Sequence, residues 1–379
     1  MDQATQELLI ERTFELQDQG AEGISGEETE WPVELYLDED RFRRETRALA
    51  RLPIPLAHVS QIREPGDFIT ETVLGRPVLV TRSADGRARA FLNVCRHRGS
   101  ELVTERCGRG AKSFVCPYHA WTYETDGRLS HVPDERRSFP NLDRSQRGLV
   151  ELPASERHGF VWVTLDPTGE TDLDAFLGPL DEDLEGYALE RHEVYRTDSW
   201  TNAFNWKTGV ESFLENYHFA VLHRETAARV FIHNLAVYDQ LNVHFRAFAP
   251  KKSLQDLRST ERESWTINGT ATIMYVIFPF SCLFVEKDHY NLVQLFPESF
   301  DRCRVRTTHI VRRLSPRLEE YWDANIDFFL SAVREDLEVC ESIQRGYASG
   351  ANATVLFGRN EVACDSYRRT IEQLLAPAE

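Results

Sequence analysis

Two short stretches decide how this chain is read: "NVCRHRG" at residues 93–99 and "CPYHAW" at residues 116–121. The first sets a thiol and an imidazole one residue apart, Cys95 and His97, with Arg96 and Arg98 beside them. The second offers the same two ligand types in Cys116 and His119. The full spacing is C-x-H, eighteen residues, then C-x-x-H. Zinc sites more often pair like with like, cysteine with cysteine and histidine with histidine. One sulfur and one nitrogen from each loop suits a two-iron cluster, with thiolates on one iron and imidazoles on the other. Zinc is the competing reading.

Short strands surround both pairs. "RPVLVTRSADGRARAFLNV" (76–94) is a hairpin turning at Asp85-Gly86, and "AWTYETDGRLSHVP" (120–133) repeats the device at Asp126-Gly127. "GFVWVTLDP" (159–167) closes the section, so residues 56–165 form a domain of small sheets with the four ligands on loops. Residues 1–55 are a helical segment. There, "QATQELLIERTFELQ" and "DEDRFRRETRALARL" carry apolar residues at spacings of three and four. An acidic loop ending at Trp31-Pro32 separates these two helices, and Pro53 and Pro55 mark the boundary. From 166 to 379 the pattern is mixed. Residues 205–223 read as helix, 236–313 as several strands, 317–346 as a long helix ending near Gly346, and 361–375 as a last helix. The class is α+β, an antiparallel sheet covered by helices.

A chain of 379 residues is too long for one small core, and two domains are the natural expectation. The net charge of −17 argues against nucleic acid or an anionic membrane surface as a partner. The polar start lacks the basic and apolar regions of a signal peptide, and a cytoplasmic setting is expected. The longest apolar run, 273–285, contains Pro279 and is too short to span a bilayer. Seven scattered cysteines do not make a disulfide framework.

A second constellation lies downstream. "ESFLENYHFAVLH" supplies His218 and His223, five residues apart. On an ideal helix that is a turn of about 140°, so either the helix ends between them or it carries a wide turn. Two histidines and one carboxylate suit a non-haem iron(II) that must keep open positions. On the 317–346 helix, Phe329, Val333, Asp336, Cys340 and Ile343 share one stripe. Asp336 is its one acid, whereas Glu335, Glu338 and Glu341 lie off it. A buried acid needs a partner; a metal is one and an arginine is another.

The first constellation closely resembles the Rieske [2Fe–2S] signature. "NWK…ENYHFAVLH" followed by "REDLEVCESIQRG" is similar to the catalytic domain of Rieske non-haem iron oxygenases. Together they cover nearly the whole chain. The resemblance implies a helix-grip catalytic domain at 166–379 and a cluster held by Cys95, His97, Cys116 and His119. It also implies a mononuclear Fe(II) held by His218, His223 and Asp336. Glu215 falls where the family places the acid that bridges the two centres. Most members carry Asp there, and a minority with Glu includes enzymes that oxidise trimethylammonium compounds such as carnitine. Glu211, one turn earlier, is the rival for that role. A head-to-tail homotrimer is implied, because the two centres of one subunit are too far apart for fast electron transfer. Ser100 and Tyr118 stand where high-potential Rieske proteins carry extra cysteines, and "CPYHAW" lacks the hydroxyl residue that comes after the second histidine in them. Fewer hydrogen bonds to the cluster sulfurs imply a lower potential.

By this resemblance the chain is a terminal oxygenase. It uses O2 as co-substrate and electrons from NAD(P)H, which reach it only through a separate flavin or iron–sulfur reductase, with or without a ferredoxin. An electron-transfer Rieske protein and a zinc-stabilised binding module are the readings from other classes. Phe213, Tyr217, Met274, Tyr275, Phe278 and Phe280 are candidates for the pocket of a small-molecule substrate. An aromatic cage for a quaternary ammonium group would use them through cation–π attraction, for monooxygenation or C–N cleavage. The competitor is an aromatic-ring hydroxylating dioxygenase acting on a substituted benzene or benzoate, with Arg246, Lys251 or Lys252 as the countercharge.

Overall fold

A computed structural model describes residues 1–20, 26–312 and 316–376. Part of the acidic loop expected before Trp31 and the end of the strand region expected to reach 313 lie outside the described residues. The chain divides into two compact units, one of residues 49–176 and 188–193, the other of 1–48, 177–187 and 194–379.

The 49–176 unit is built from three antiparallel sheets. Phe68–Val73, Arg76–Arg82 and Ala88–Leu92 form the centre of a five-stranded sheet edged by Cys107–Gly108 and Glu151–Leu152. Its hairpin turns at Asp85-Gly86, where Gly86 has φ +83°, a conformation that L side chains rarely adopt. Ser113–Val115, Thr122–Glu124 and Leu129–His131 make a second sheet. Its turn brings Gly127 against the Phe91 ring, where an added Cβ would stand 2.4 Å from that ring. Pro53–His58, Ala154–Arg157 and Phe160–Thr164 form the third. Phe91, Phe114, Trp121 and Tyr123 pack into one core with Cys95 and Cys116, so both thiols are anchored in the apolar interior.

The other unit is organised by a seven-stranded sheet. Its order is Glu193–Asn202, Arg302–Val311, His289–Ser299, Ser281–Val285, Ala271–Ile277, His244–Pro250 and Val237–Leu241. Pairing registers align Tyr238, Ala247, Met274, Phe284, Asn291 and His309 in one transverse row. Neighbours along a strand point to opposite faces. Tyr275 therefore turns away from this row, and its hydroxyl reaches Asp183 at 3.0 Å and Tyr187 at 2.8 Å. The long helix Glu319–Ala348 packs on the row's side: the Phe329 ring lies 5.1 Å from Phe284 and 6.1 Å from His309.

The short helix Trp206–Phe213 is capped by Asn205, whose side chain accepts from the Lys207 N–H at 3.1 Å. Gly209 lets this helix approach closely, since a Cβ there would stand 2.8 Å from Phe204 and 3.2 Å from Leu295. Its buried face carries charge. The Lys207 ammonium donates to both oxygens of Glu45, at 2.9 and 2.7 Å, and Arg41 Nε donates to Glu45 at 2.8 Å. Arg368, on the C-terminal helix Val362–Leu375, is fully buried with Nε 2.6 Å from Glu211 Oε1. Its guanidinium stacks 3.9 Å from the Tyr36 ring centre, and the Tyr36 hydroxyl donates to Glu211 at 2.8 Å.

Three expected boundaries move. The helix expected over 205–223 stops at Phe213. The acidic loop before Trp31 ends in a strand, Thr29–Pro32, that pairs with Thr354–Phe357. A four-residue strand whose partner lies far along the chain leaves little local pattern. The long helix runs past Gly346 to Ala348, because one helical glycine costs only ~1 kcal/mol.

Glu211 is therefore a buried counter-ion rather than a helix-surface acid. Glu211→Ala strands the Arg368 guanidinium without its carboxylate and should destabilise the fold by ~3–5 kcal/mol in denaturant titrations. The double replacement Glu211→Ala with Arg368→Met should recover part of that loss.

Candidate metal centres and substrate cavity

The two cysteine loops of the smaller-sheet unit repeat one backbone pattern. The Cys95 N–H donates to the Ser100 carbonyl at 2.8 Å, and the Gly99 N–H returns to the Cys95 carbonyl at 3.0 Å. The second loop does the same, with Cys116 N–H to Trp121 O at 2.8 Å and Ala120 N–H to Cys116 O at 3.0 Å. Gly99 and Ala120, at matching places, both have positive φ, +82° and +54°. These tight turns bring the histidines together, with ring centres of His97 and His119 4.7 Å apart. Trp121 stacks on His97 at 4.8 Å with 7° between the planes, which fixes that ring. Cys95 and Cys116 are buried beneath them. Two inward thiols and two adjacent outer imidazoles fit a two-iron cluster better than a single zinc ion.

The Tyr123 hydroxyl lies 3.4 Å from Cys95 Sγ and accepts from the Arg96 N–H at 2.9 Å. Ala120 and Trp121 after His119 carry no hydroxyl, and Tyr123, on the strand Thr122–Glu124, brings one to this sulfur. Arg98 stacks on Tyr118 and donates to its hydroxyl at 3.0 Å, a contact within the loop pair.

In the larger-sheet unit His218 and His223 come together because the helix ends before either. The Glu215 carboxylate accepts from the backbone N–H groups of Tyr217 and His218. Such side-chain capture competes with helix continuation and starts the turn Tyr217–Ala220. The same carboxylate also accepts a hydrogen bond from the Nδ1–H of His218. His223 Nδ1 donates to Glu335 at 2.6 Å, and Thr226 Oγ1 donates to Glu335 at 2.8 Å. Each imidazole therefore turns Nε2 inward. These nitrogens stand 3.2 Å (His218) and 2.9 Å (His223) from Asp336 Oδ1. Despite the short approach, His218 Nε2 and Asp336 Oδ1 are buried without a hydrogen-bond partner. Ligand atoms from all three residues lie within 4.8 Å of one another. Buried lone pairs converging on one point fit a divalent cation. Burial works against charging His218, yet the neighbouring carboxylates of Asp336 and Glu215 outweigh it, and its pKa rises to about 10; His223 shifts the same way.

A cavity of about 270 Å³ opens beside these three residues. Phe213, Phe219, Phe231, Phe284, Phe328 and Phe329 line it, with Met274 and the polar group Lys251, Glu286, His289 and Asn291. Of the pocket residues expected, Phe213 and Met274 are at its wall. Tyr217 is exposed, Tyr275 faces the opposite side of the sheet, and Phe278 packs on Tyr367 at 6.0 Å. Phe280 packs on Trp206 and Phe296. Strand alternation sends Met274 and Tyr275 to different faces, which a list of aromatic residues cannot anticipate. Lys251 does point inward and donates to Glu286 at 2.9 Å. Arg246 is tied to Asp183 and Asp239 on the far face, and Lys252 donates to backbone carbonyls at the surface. Glu335 lies off the apolar stripe with Glu338 and Glu341, and no local pattern distinguishes it from those acids.

Residues 187–376 match the family described as ring hydroxylating alpha subunit (catalytic domain), and residues 53–150 match the Rieske [2Fe-2S] domain. The chlorobenzene dioxygenase alpha subunit of Cupriavidus sp. (strain PS12) is 35% identical over 192 residues, 49% of this chain and 42% of that protein. The chain thus spans less than half the length of this relative. The carnitine monooxygenase oxygenase subunit of Escherichia coli (strain K12) is 26% identical over 322 residues, 84% of each chain. The solved structure of the quaternary ammonium Rieske monooxygenase CntA with L-carnitine has a similar fold, with a TM-score of 0.79 at 22% identity, covering 95% of this chain and 99% of that one. Among the described residues no helix is long and apolar enough to cross a membrane.

Two measurements check these geometries. Tyr123→Phe removes a hydroxyl from beside Cys95 and should lower the cluster's reduction potential by on the order of 50 mV in a redox titration. In protein stripped of its mononuclear metal, protons on His218 and His223 compete with the cation. Their pKa values are raised, so these protons are held up to about pH 10 for His218. Iron(II) affinity, measured by competition with a chelator, should therefore rise with pH across the range below that, and each binding event should release protons.

Proposed function

Since the chain belongs to the ring-hydroxylating alpha-subunit family and carries a Rieske [2Fe-2S] domain, we propose that it is the terminal oxygenase of a multicomponent system that oxidises a small quaternary ammonium compound. Members of this family are Rieske non-haem iron oxygenases. The observation that carries the reading is the convergence of His218, His223 and Asp336 within 4.8 Å at the wall of an apolar cavity. In this reading those three residues hold the mononuclear iron, and Cys95, His97, Cys116 and His119 hold the cluster. Bound there, the cluster would supply single electrons and the iron would supply reductive activation of O2.

The chain's own residues prepare that chemistry. Glu215 and Glu335 accept hydrogen bonds from the Nδ1–H groups of the histidines, fixing the tautomer that presents Nε2 to a cation. Asp336 adds a carboxylate from the opposing helix and leaves the cavity side open. The phenylalanine walls exclude water from a reaction that would otherwise waste reducing equivalents. Glu215, already bound to His218, is the acid we assign to the link between the two centres. Glu211 is committed to Arg368. The electrons come from NAD(P)H through a separate reductase, the working assembly is a homotrimer, and the setting is the cytoplasm, where the cysteines outside the cluster loops stay reduced.

Lys251 at the cavity wall is already neutralised by Glu286, so it offers no free countercharge to an anionic substrate. The phenylalanine faces can hold a trimethylammonium group by cation–π attraction. Of the relatives, the carnitine monooxygenase subunit aligns over 84% of both chains and points the same way, whereas the chlorobenzene dioxygenase subunit aligns over 49% of this chain. Six phenylalanines also favour a second reading, hydroxylation of an aromatic ring.

The test is oxygen uptake by the iron-loaded protein with a surrogate reductase, over trimethylammonium compounds and substituted benzenes or benzoates. Release of an aldehyde or trimethylamine from the first group is expected; ring diols from the second would favour the alternative. Asp336→Ala should abolish uptake and mononuclear iron while the cluster's visible spectrum persists. Loss of that spectrum instead would overturn the division of labour.

A further inference from the structure

Asn291 sits between Phe284 and His309 in the cavity-facing row of the sheet, fully buried. It lines the cavity, and its Nδ2 has no hydrogen-bond partner among the described residues. Leaving a buried amide donor unmet costs ~1–3 kcal/mol, so a persistent one marks a place where something else arrives.

The orientation of that amide is set from behind. Asn291 Oδ1 lies 2.7 Å from Nδ1 of His309, its partner on the next strand. His309 Nε2 lies 3.1 Å from the Thr307 hydroxyl. Burial lowers the His309 pKa to about 4, so the ring is neutral and carries one proton. Asp198 stands 3.7 Å from Nε2, beyond hydrogen-bond reach, and is held by Arg196 Nε at 2.7 Å. The consistent arrangement has the Thr307 hydroxyl donating to Nε2 and the Nδ1 proton donated to Asn291 Oδ1. The amide oxygen is then used up and the NH2 faces the cavity. Phe329, packed on His309, lies seven residues before Asp336, on the order of 10 Å along the helix.

We propose that Asn291 is a specificity-determining residue whose Nδ2 donates a hydrogen bond to an acceptor oxygen of the substrate, with His309 and Thr307 as its positioning residues. The substrate then carries a carboxylate, carbonyl or hydroxyl oxygen distant from the carbon that reacts. This inference rests on the reading of the cavity as the substrate site, and it selects within either substrate class: a betaine over a bare tetraalkylammonium, a benzoate over a simple arene.

The experiment uses the loaded protein and two matched probe pairs, glycine betaine against tetramethylammonium and benzoate against toluene. Equilibrium binding is measured by calorimetry, and oxygen uptake is measured separately. In at least one pair the oxygen-bearing probe should bind about tenfold tighter, and Asn291→Leu, of similar volume, should erase that preference. Asn291→Asp keeps the shape and replaces the donor by an acceptor, so it should disfavour the carboxylate probe beyond the Leu variant. Retained mononuclear iron and a wild-type thermal melt certify folding of the unit that carries Asn291 in each variant. Preference retained in Asn291→Leu, no preference in wild type, or no binding by either oxygen-bearing probe overturns the inference. Binding discrimination without oxygen uptake on any probe would uphold the role of Asn291 and count against the oxygenase reading instead.

Discussion

The pairing of buried charges beneath the Trp206–Phe213 helix is the constraint on which the catalytic unit depends. Lys207 and Glu211 point from this helix into the interior, where an unpaired charge would cost several kcal/mol. Glu45 from the N-terminal segment meets Lys207, and Arg368 from the C-terminal helix meets Glu211. Segments more than 300 residues apart in the chain are thereby locked to one eight-residue helix. Its end is therefore fixed in space, and the residues after it start from a defined point.

Beyond that end the carboxylates change their use. Inside the helix Glu211 balances a cation. Four residues on, Glu215 ends the helical run by binding backbone N–H groups, and it orients His218 at the same time. Glu335 does the second of these jobs for His223 from the long helix, next in sequence to Asp336. Two acids thus aim two histidines at a third acid. The cluster loops are built on another principle. Each closes on itself through two backbone hydrogen bonds and a left-handed residue, so its geometry is local and needs no distant partner.

The cavity is asymmetric in a way that bears on substrate choice. Its phenylalanines give an apolar surface that any small ring or alkylammonium could occupy, with little discrimination from shape alone. Polar groups discriminate more sharply, because an unmatched buried donor or charge carries a penalty that a missing methylene does not. Lys251 with Glu286, and Asn291 with His309, supply such groups on the sheet wall.

The amino-acid sequence alone determined the candidate ligand residue types, their spacing and the class of both domains. Cys95, His97, Cys116 and His119 lie on short loops between hairpins that turn at Asp85-Gly86 and Asp126-Gly127, and such signals span only a few residues. The stripe on the long helix likewise singled out Asp336, because helical periodicity is local. Only the tertiary structure decided how the helix before His218 ends, that Glu335 serves His223, and which aromatic residues face the trio of His218, His223 and Asp336. It also turned Tyr123 toward Cys95 and Asn291 toward the cavity. Each of these depends on pairing register or on a contact between residues far apart in the chain, and no window of neighbouring residues encodes such a contact.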